Sequence, residues 1–180
     1  MLENTVIIGV GRGGCNALSK VKLKIEKLFV DTDKNVVEKY SGFCIGLKTC
    51  NGLSTGGDVV KGELSLRENK LQILDRIGKL SNWIIIAPLG GGTSCGASKQ
   101  LVDLALDNNK YVKVLASLPF EWEGNRRKHH AVETISYIEN LCEVITVEFD
   151  SKKYPVQISM TDIFNLLDEK YMEAIEKICV

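Results

Sequence analysis

The residues best placed to do chemistry lie in two glycine-rich stretches. The first, Gly9-Val10-Gly11-Arg12-Gly13-Gly14-Cys15-Asn16, closes one apolar run, and the second, Gly90-Gly91-Gly92-Thr93-Ser94-Cys95-Gly96, closes another, Trp83-Ile84-Ile85-Ile86-Ala87-Pro88-Leu89. Successive glycines let the backbone approach an anion closely and turn several N–H groups toward it, while a following helix points its positive end at the same spot. Thr93 and Ser94 add hydroxyl donors. Two such loops at two strand ends can grip one polyphosphate, so phosphate binding is the chemistry these residues predict.

The elements that must carry the loops alternate along the chain. Short β-rich runs at residues 6–10, 27–30, 43–47, 83–88, 112–117 and 144–148 are separated by segments long enough for crossover helices. Helical patterning is strongest at 60–80, 97–108, 125–140 and 161–178. Several strands are apolar on consecutive residues, as expected where both faces of a sheet are covered. The prediction is an α/β fold, a Rossmann-like parallel sheet with helices on both faces. In the last helix Ile163, Leu167, Tyr171, Ile175 and Ile178 form one stripe, with Ser159 or Thr161 in position to cap it. That stripe either packs on the sheet or mediates self-association into a homodimer or filament contact. Parallel sheets of this kind bind ligands at the carboxyl ends of their strands, where both glycine loops fall.

Composition narrows the class further. A chain of 180 residues, 44% hydrophobic, suits one domain spanning 1–180. Formal net charge is zero, so no field of the whole molecule draws it to nucleic acid or an anionic membrane. The N-terminus enters a strand without a signal-like segment and no apolar stretch reaches spanning length, which reads as cytoplasmic with no membrane insertion. Cys15, Cys44, Cys50, Cys95, Cys142 and Cys179 are scattered without Cys-x-x-Cys pairs, pointing to reduced thiols rather than a disulfide frame or zinc site.

Two phosphate-binding readings compete. Gly9, Gly11 and Gly14 satisfy Gly-x-Gly-x-x-Gly, and Asp31 and Asp33 close the second strand, which taken alone supports an NAD-binding domain with Asp31 on a ribose hydroxyl. A dinucleotide site, however, uses one helix N-terminus for its pyrophosphate. A second anion loop at the fourth strand suits a nucleoside triphosphate better. The Walker pattern is absent from the sequence, so an ordinary P-loop enzyme is not indicated.

The set of motifs resembles the tubulin/FtsZ superfamily. Gly11-Arg12-Gly13-Gly14-Cys15-Asn16-Ala17 is similar to its first loop, and Asp31-Thr32-Asp33 resembles its Asn-Thr-Asp segment. Gly52-Leu53-Ser54-Thr55-Gly56-Gly57-Asp58 is similar to the loop that senses the γ-phosphate, and Gly90 to Gly96 resembles the Gly-Gly-Gly-Thr-Gly-Ser/Thr-Gly signature. Pro119-Phe120-Glu121-Trp122-Glu123-Gly124-Asn125-Arg126-Arg127 resembles the sugar-contacting segment, and all of these occur in family order. The resemblance implies GTP or GDP as ligand, with Mg2+ on the phosphates and Asp33 an indirect ligand through water. It further implies that Gly91, Gly92, Thr93 and Gly96 hold phosphates, Glu123 and Arg127 contact the ribose side, and Asn16 offers an amide to sugar or base. Phe164 would stack on guanine. Asp168, one turn further on, would accept the two neighbouring N–H donors that guanine presents and adenine lacks.

Departures from the family pattern matter equally. Arg12 replaces a glycine beside the phosphates, where it could bind phosphate or block the site. Ser94 and Cys95 replace Gly-Thr in the signature, and Cys95 at a helix N-terminus reads as a space-filling thiol rather than a reactive one. Phe149 stands where a base-contacting Asn is customary. The sequence ends at Val180, at the helix after which the family supplies a catalytic acidic loop and a second domain, so GTP hydrolysis is expected to be weak alone or dependent on a partner. The expected role is cytoskeletal or filament-regulating, with an FtsZ-like filament protein or the chain itself as partner. The rivals are a protein-interaction module whose pocket holds no nucleotide, and an NAD-binding Rossmann protein.

Overall fold

The computed structural model describes residues 2–148 and 158–179. Six strands, β1 (Thr5–Val10), β2 (Glu26–Asp31), β3 (Phe43–Cys44), β4 (Asn82–Pro88), β5 (Tyr111–Ser117) and β6 (Glu143–Thr146), pair in parallel in the order β3-β2-β1-β4-β5-β6. The order reverses between β1 and β4, which lie side by side with Gly9 opposite Ile86. In a doubly wound sheet the ligand crevice opens at that reversal.

Among the described residues eight α-helices serve the sheet: α1 (Gly11–Lys20), α2 (Lys34–Glu38), α3 (Leu47–Cys50), α4 (Val59–Glu68), α5 (Lys70–Ile77), α6 (Gly92–Asp107), α7 (Asn125–Glu139) and α8 (Met160–Cys179). Side chains alternate across each strand, so one apolar run feeds two cores. Val6, Ile8, Val10, Trp83 and Ile85 meet Leu66 of α4, Ile73 and Ile77 of α5, Leu101 of α6 and Ile138 of α7. Ile7, Ile84 and Ile86 point the other way, onto Leu18 of α1 and Leu167, Tyr171 and Ile175 of α8. Burying each such side chain stabilises the fold by about 1.5–3 kcal/mol. The predicted sheet with helices on both faces is therefore what forms.

Several boundaries move for identifiable reasons. The segment read as one helix over 60–80 is two, α4 and α5, broken at Asn69, whose side-chain oxygen accepts the Gly46 N–H at 2.7 Å. The strand read over 43–47 ends at Cys44, because Gly46 turns left-handed with φ 68° and starts α3. The helix read from 97 begins at Gly92, so the second glycine loop supplies its own first turn. Ser159, not Thr161, caps α8, accepting the Asp162 N–H at 3.1 Å. The α8 stripe is spent on the sheet: Ile163, Leu167, Tyr171 and Ile175 are buried beneath it.

Candidate functional site

The two glycine loops meet at the sheet reversal, and each leads into a helix without a side-chain cap. Val10 precedes α1 and Gly91 precedes α6, and neither offers a side-chain acceptor to the first amides. Side-chain caps occur at α2, where Asp33 accepts the Asn35 N–H, and at α4, where Asp58 accepts the Lys61 N–H, while α3, α5 and α7 also start without one. What sets α1 and α6 apart is that the glycines of their uncapped starts line one cleft. The first amides of a helix have no intrahelical partner and carry its positive end, so two uncapped starts side by side form an anion-directed surface. Gly11, at φ +73°, and Gly90, at φ +108°, take the turns that bring both starts to the same place. The Gly90 N–H donates to Cys95 Sγ at 3.1 Å, and the hydroxyls of Thr32 and Thr93 bond at 3.0 Å, pinning the second loop to β2.

In front of these amides lies a cleft of about 750 Å³, within the range of small-molecule sites. Sixteen of the sequence-predicted residues line it: Gly11, Arg12, Gly13, Asn16, Asp33, Gly56, Gly57, Gly90, Gly91, Gly92, Thr93, Ser94, Glu123, Arg127, Phe164 and Asp168. Three do not. Gly14 faces inward, where an added Cβ would meet the Ile86 carbonyl oxygen at 2.6 Å, so its role is to let α1 lie against β4. Gly96 is the contact point of α6 with α4, where a side chain would strike the backbone of Val59, Gly62 and Glu63. Cys95 is fully buried, and burial pushes its thiol pKa up, as befits a packing group and not a nucleophile.

At the far end of the cleft an aromatic shelf faces a carboxylate. Phe164 is 45% exposed and meets Phe120 edge-on at 5.9 Å, and Phe120 in turn stacks on Trp122 at 4.3 Å. Asp168 is buried on the same helix and pairs with Lys20 Nζ at 2.8 Å. Burial raises its carboxyl pKa, and Lys20 opposes the rise. Asn16 accepts the Tyr40 hydroxyl at 2.8 Å through its side-chain oxygen, which leaves its NH₂ for a ligand. Glu123 pairs with Arg127 one turn on and accepts the Phe120 N–H at 2.9 Å, so this pair is a braced unit at the rim.

The cleft also takes in Ser54, Thr55, Pro119, Phe120 and Arg126, which the sequence motifs contain without a role of their own, and Leu89, Ser117, Leu118 and His130, which carry no site signal in the sequence. Arg126 and His130 stand on α7 one residue before and three after Arg127, and the turn of that helix brings them to the cleft with it. Phe149 lies outside the described residues.

The acidic residues of the cleft are engaged with neighbours of the same chain. Asp33 accepts the Asn35 N–H at Oδ1, 3.0 Å, and Arg12 Nη2 at Oδ2, 3.2 Å. Asp31 is buried and receives the Asp33 N–H at 3.1 Å. Among the described residues no three His, Cys, Asp or Glu side chains converge as an ion site. Both carboxylate oxygens of Asp33 thus have protein partners in this structure.

Fold and site together define a doubly wound α/β domain with an anion-directed cleft at its switch point. The chain belongs to the tubulin/FtsZ family, since the family model described as "Tubulin/FtsZ family, GTPase domain" matches residues 4–151. Cell division protein FtsZ 1 of Pyrococcus woesei is 25% identical over 96% of this chain and 50% of its own length. Among solved structures, an empty FtsZ dimer of M. jannaschii superposes with TM-score 0.86 at 22% identity, over 97% of this chain and 54% of that one. A GTPγS-bound protofilament of CetZ2 from Haloferax volcanii gives TM-score 0.84 at 20% identity, over 98% of this chain and 58% of that one. The chain spans about half the length of the curated relatives it matches. Membership in this family takes the first glycine loop away from the NAD reading. Among the described residues no helix is long and apolar enough to cross a membrane.

Proposed function

We propose that the cleft binds a guanine nucleotide, GTP or GDP, in a cytoskeletal or filament-regulating protein. The observation that carries this reading is the pairing of two uncapped helix starts at one end of the cleft with Phe164 and Asp168 at the other. Phosphates lie against the amides of α1 and α6, and the base lies on Phe164 with its N–H edge toward Asp168. Arg12 does not block the space, because its side chain, 71% exposed, extends to Asp33 and leaves the cleft open. Any Mg2+ arrives on the phosphates.

Turnover by these residues alone is slow. The carboxylates that line the cleft are Asp31, Asp33, Glu123 and Asp168, and each is buried, paired or both. None is free to position water, and amide donors without a positioned nucleophile supply only part of transition-state stabilisation. The M. jannaschii relative forms a dimer and the CetZ2 relative a protofilament, so self-association, or assembly with an FtsZ-like filament protein, is the corresponding proposal for this chain.

Calorimetric titration of nucleotide-stripped protein with GTP, GDP, ATP and NAD tests the reading, after identification of any nucleotide released on denaturation. Guanine-selective binding is expected. Failure to bind any guanine nucleotide at micromolar concentration would replace it with an interaction module of the same fold.

A further inference from the structure

We propose that Arg12 does in this cleft the charge-neutralising work otherwise left to a divalent cation, so that nucleotide phosphate binds here without requiring Mg2+. The inference rests on the nucleotide reading above and deepens it. Arg12 is the second residue of α1, directly at the helix start that faces the phosphates, and it lines the cleft. One nitrogen, Nη2, reaches Asp33 Oδ2 at 3.2 Å. A guanidinium carries five N–H donors in a planar fork, so this tether leaves donors for a phosphate oxygen. The pair is also cheap to remodel, because Arg12 is largely exposed and exposed pairs contribute about 0–1 kcal/mol.

The acidic side of the cleft agrees. Asp33 is the carboxylate nearest to the role of steering an ion's water shell, yet both its oxygens have partners and one sits against a positive charge. A divalent cation brought to that oxygen meets the guanidinium and is repelled. Asp31, buried just behind, adds a second carboxylate to the wall. Once Arg12 is removed, Asp31 and Asp33 lose the cation paired beside them, since the other arginines of the cleft, Arg126 and Arg127, stand on α7, with Arg127 already paired to Glu123. A free cation entering with the nucleotide would then take over the screening of these two carboxylates. Arg12 therefore occupies the electrostatic position of the metal: it screens the two aspartates and binds phosphate from a fixed point on α1.

The test is calorimetric titration of GTP into wild type, Arg12→Gly and Arg12→Lys, each in Mg2+ and in EDTA, with thermal melts of the unliganded proteins to show that the fold is kept. Wild type is expected to bind within about threefold in the two buffers. Arg12→Gly should lose about tenfold or more in EDTA, the scale of a charge-assisted hydrogen bond, and recover most of it in Mg2+. Arg12→Lys should keep part of the metal independence, having the charge but not the fork. Wild-type binding that requires Mg2+, or an equal loss by Arg12→Gly in both buffers, would overturn the inference and leave the nucleotide reading standing. Absence of guanine nucleotide binding by wild type in both buffers would overturn the two together.

Discussion

Phe164 and Asp168 stand one turn apart on α8 and carry opposite burdens. Phe164 is half in solvent and contributes little to the core, so Phe164→Ala should leave the melting temperature of the unliganded protein nearly unchanged. Its removal should cost GTP roughly tenfold or more in affinity, because stacking of a base on an aromatic side chain contributes about 1–3 kcal/mol. Asp168 gives base selectivity a pH dependence. Burial lifts its carboxyl above the ordinary aspartate range while Lys20 pulls it back, so protonation on acidification begins earlier than for an exposed aspartate. The protonated acid presents a donor where guanine presents donors, so the ratio of GTP to ATP affinity should fall on acidification, starting at a higher pH than an exposed aspartate would set. Lys20→Met should move that fall to higher pH. Competition binding across a pH series reads both effects.

At the scale of elements, glycines that look alike in sequence do different work. Gly96 lets α6 touch the backbone of α4, so Gly96→Ala is an overpacking substitution that should cost about 1–3 kcal/mol and lower the melting temperature by several degrees. A Cβ on Gly91 would meet only Ser94 Oγ at 3.4 Å, an ordinary contact, so Gly91→Ala should stay folded and reveal itself in nucleotide affinity. Differential scanning calorimetry beside nucleotide titration separates the two. The strands and both loops were legible because consecutive Val and Ile and runs of glycine are strong local signals. The start of α6 was not, since glycine is a poor helix former, about 1 kcal/mol worse than alanine per residue. Gly92 is needed there for close packing, since a Cβ would strike Thr55 Oγ1 and the Asp58 backbone at 2.5 Å. The same holds for α1: its Gly11-Arg12-Gly13-Gly14 opening reads as loop, yet Gly14 closes on Ile86 and the turn winds. The inward aim of Gly14 and Gly96 follows from where a second chain segment lies, which spacing alone does not state. The break at Asn69 is similarly tertiary, set by a hydrogen bond to Gly46 far back in the sequence.

For the whole molecule, a ligand bound to the native state alone raises stability by mass action. At a free GTP concentration of 100 Kd the gain is about 2.7 kcal/mol, which for a domain of this size means a melting temperature higher by roughly 5–10 °C. ATP should give a much smaller shift at equal concentration, and equal shifts would count against Asp168 as the selector. The sheet order has a consequence for how the molecule breathes. β1 and β4 are its innermost strands, and both helix starts of the cleft hang directly from their ends, whereas the edges are the two-residue β3 and the four-residue β6. Amide deuteration should therefore sweep inward from the margins, and the hours-scale survivors should be the amides beside the phosphates' berth. The grip on an anion is thus among the last things this chain surrenders as it opens.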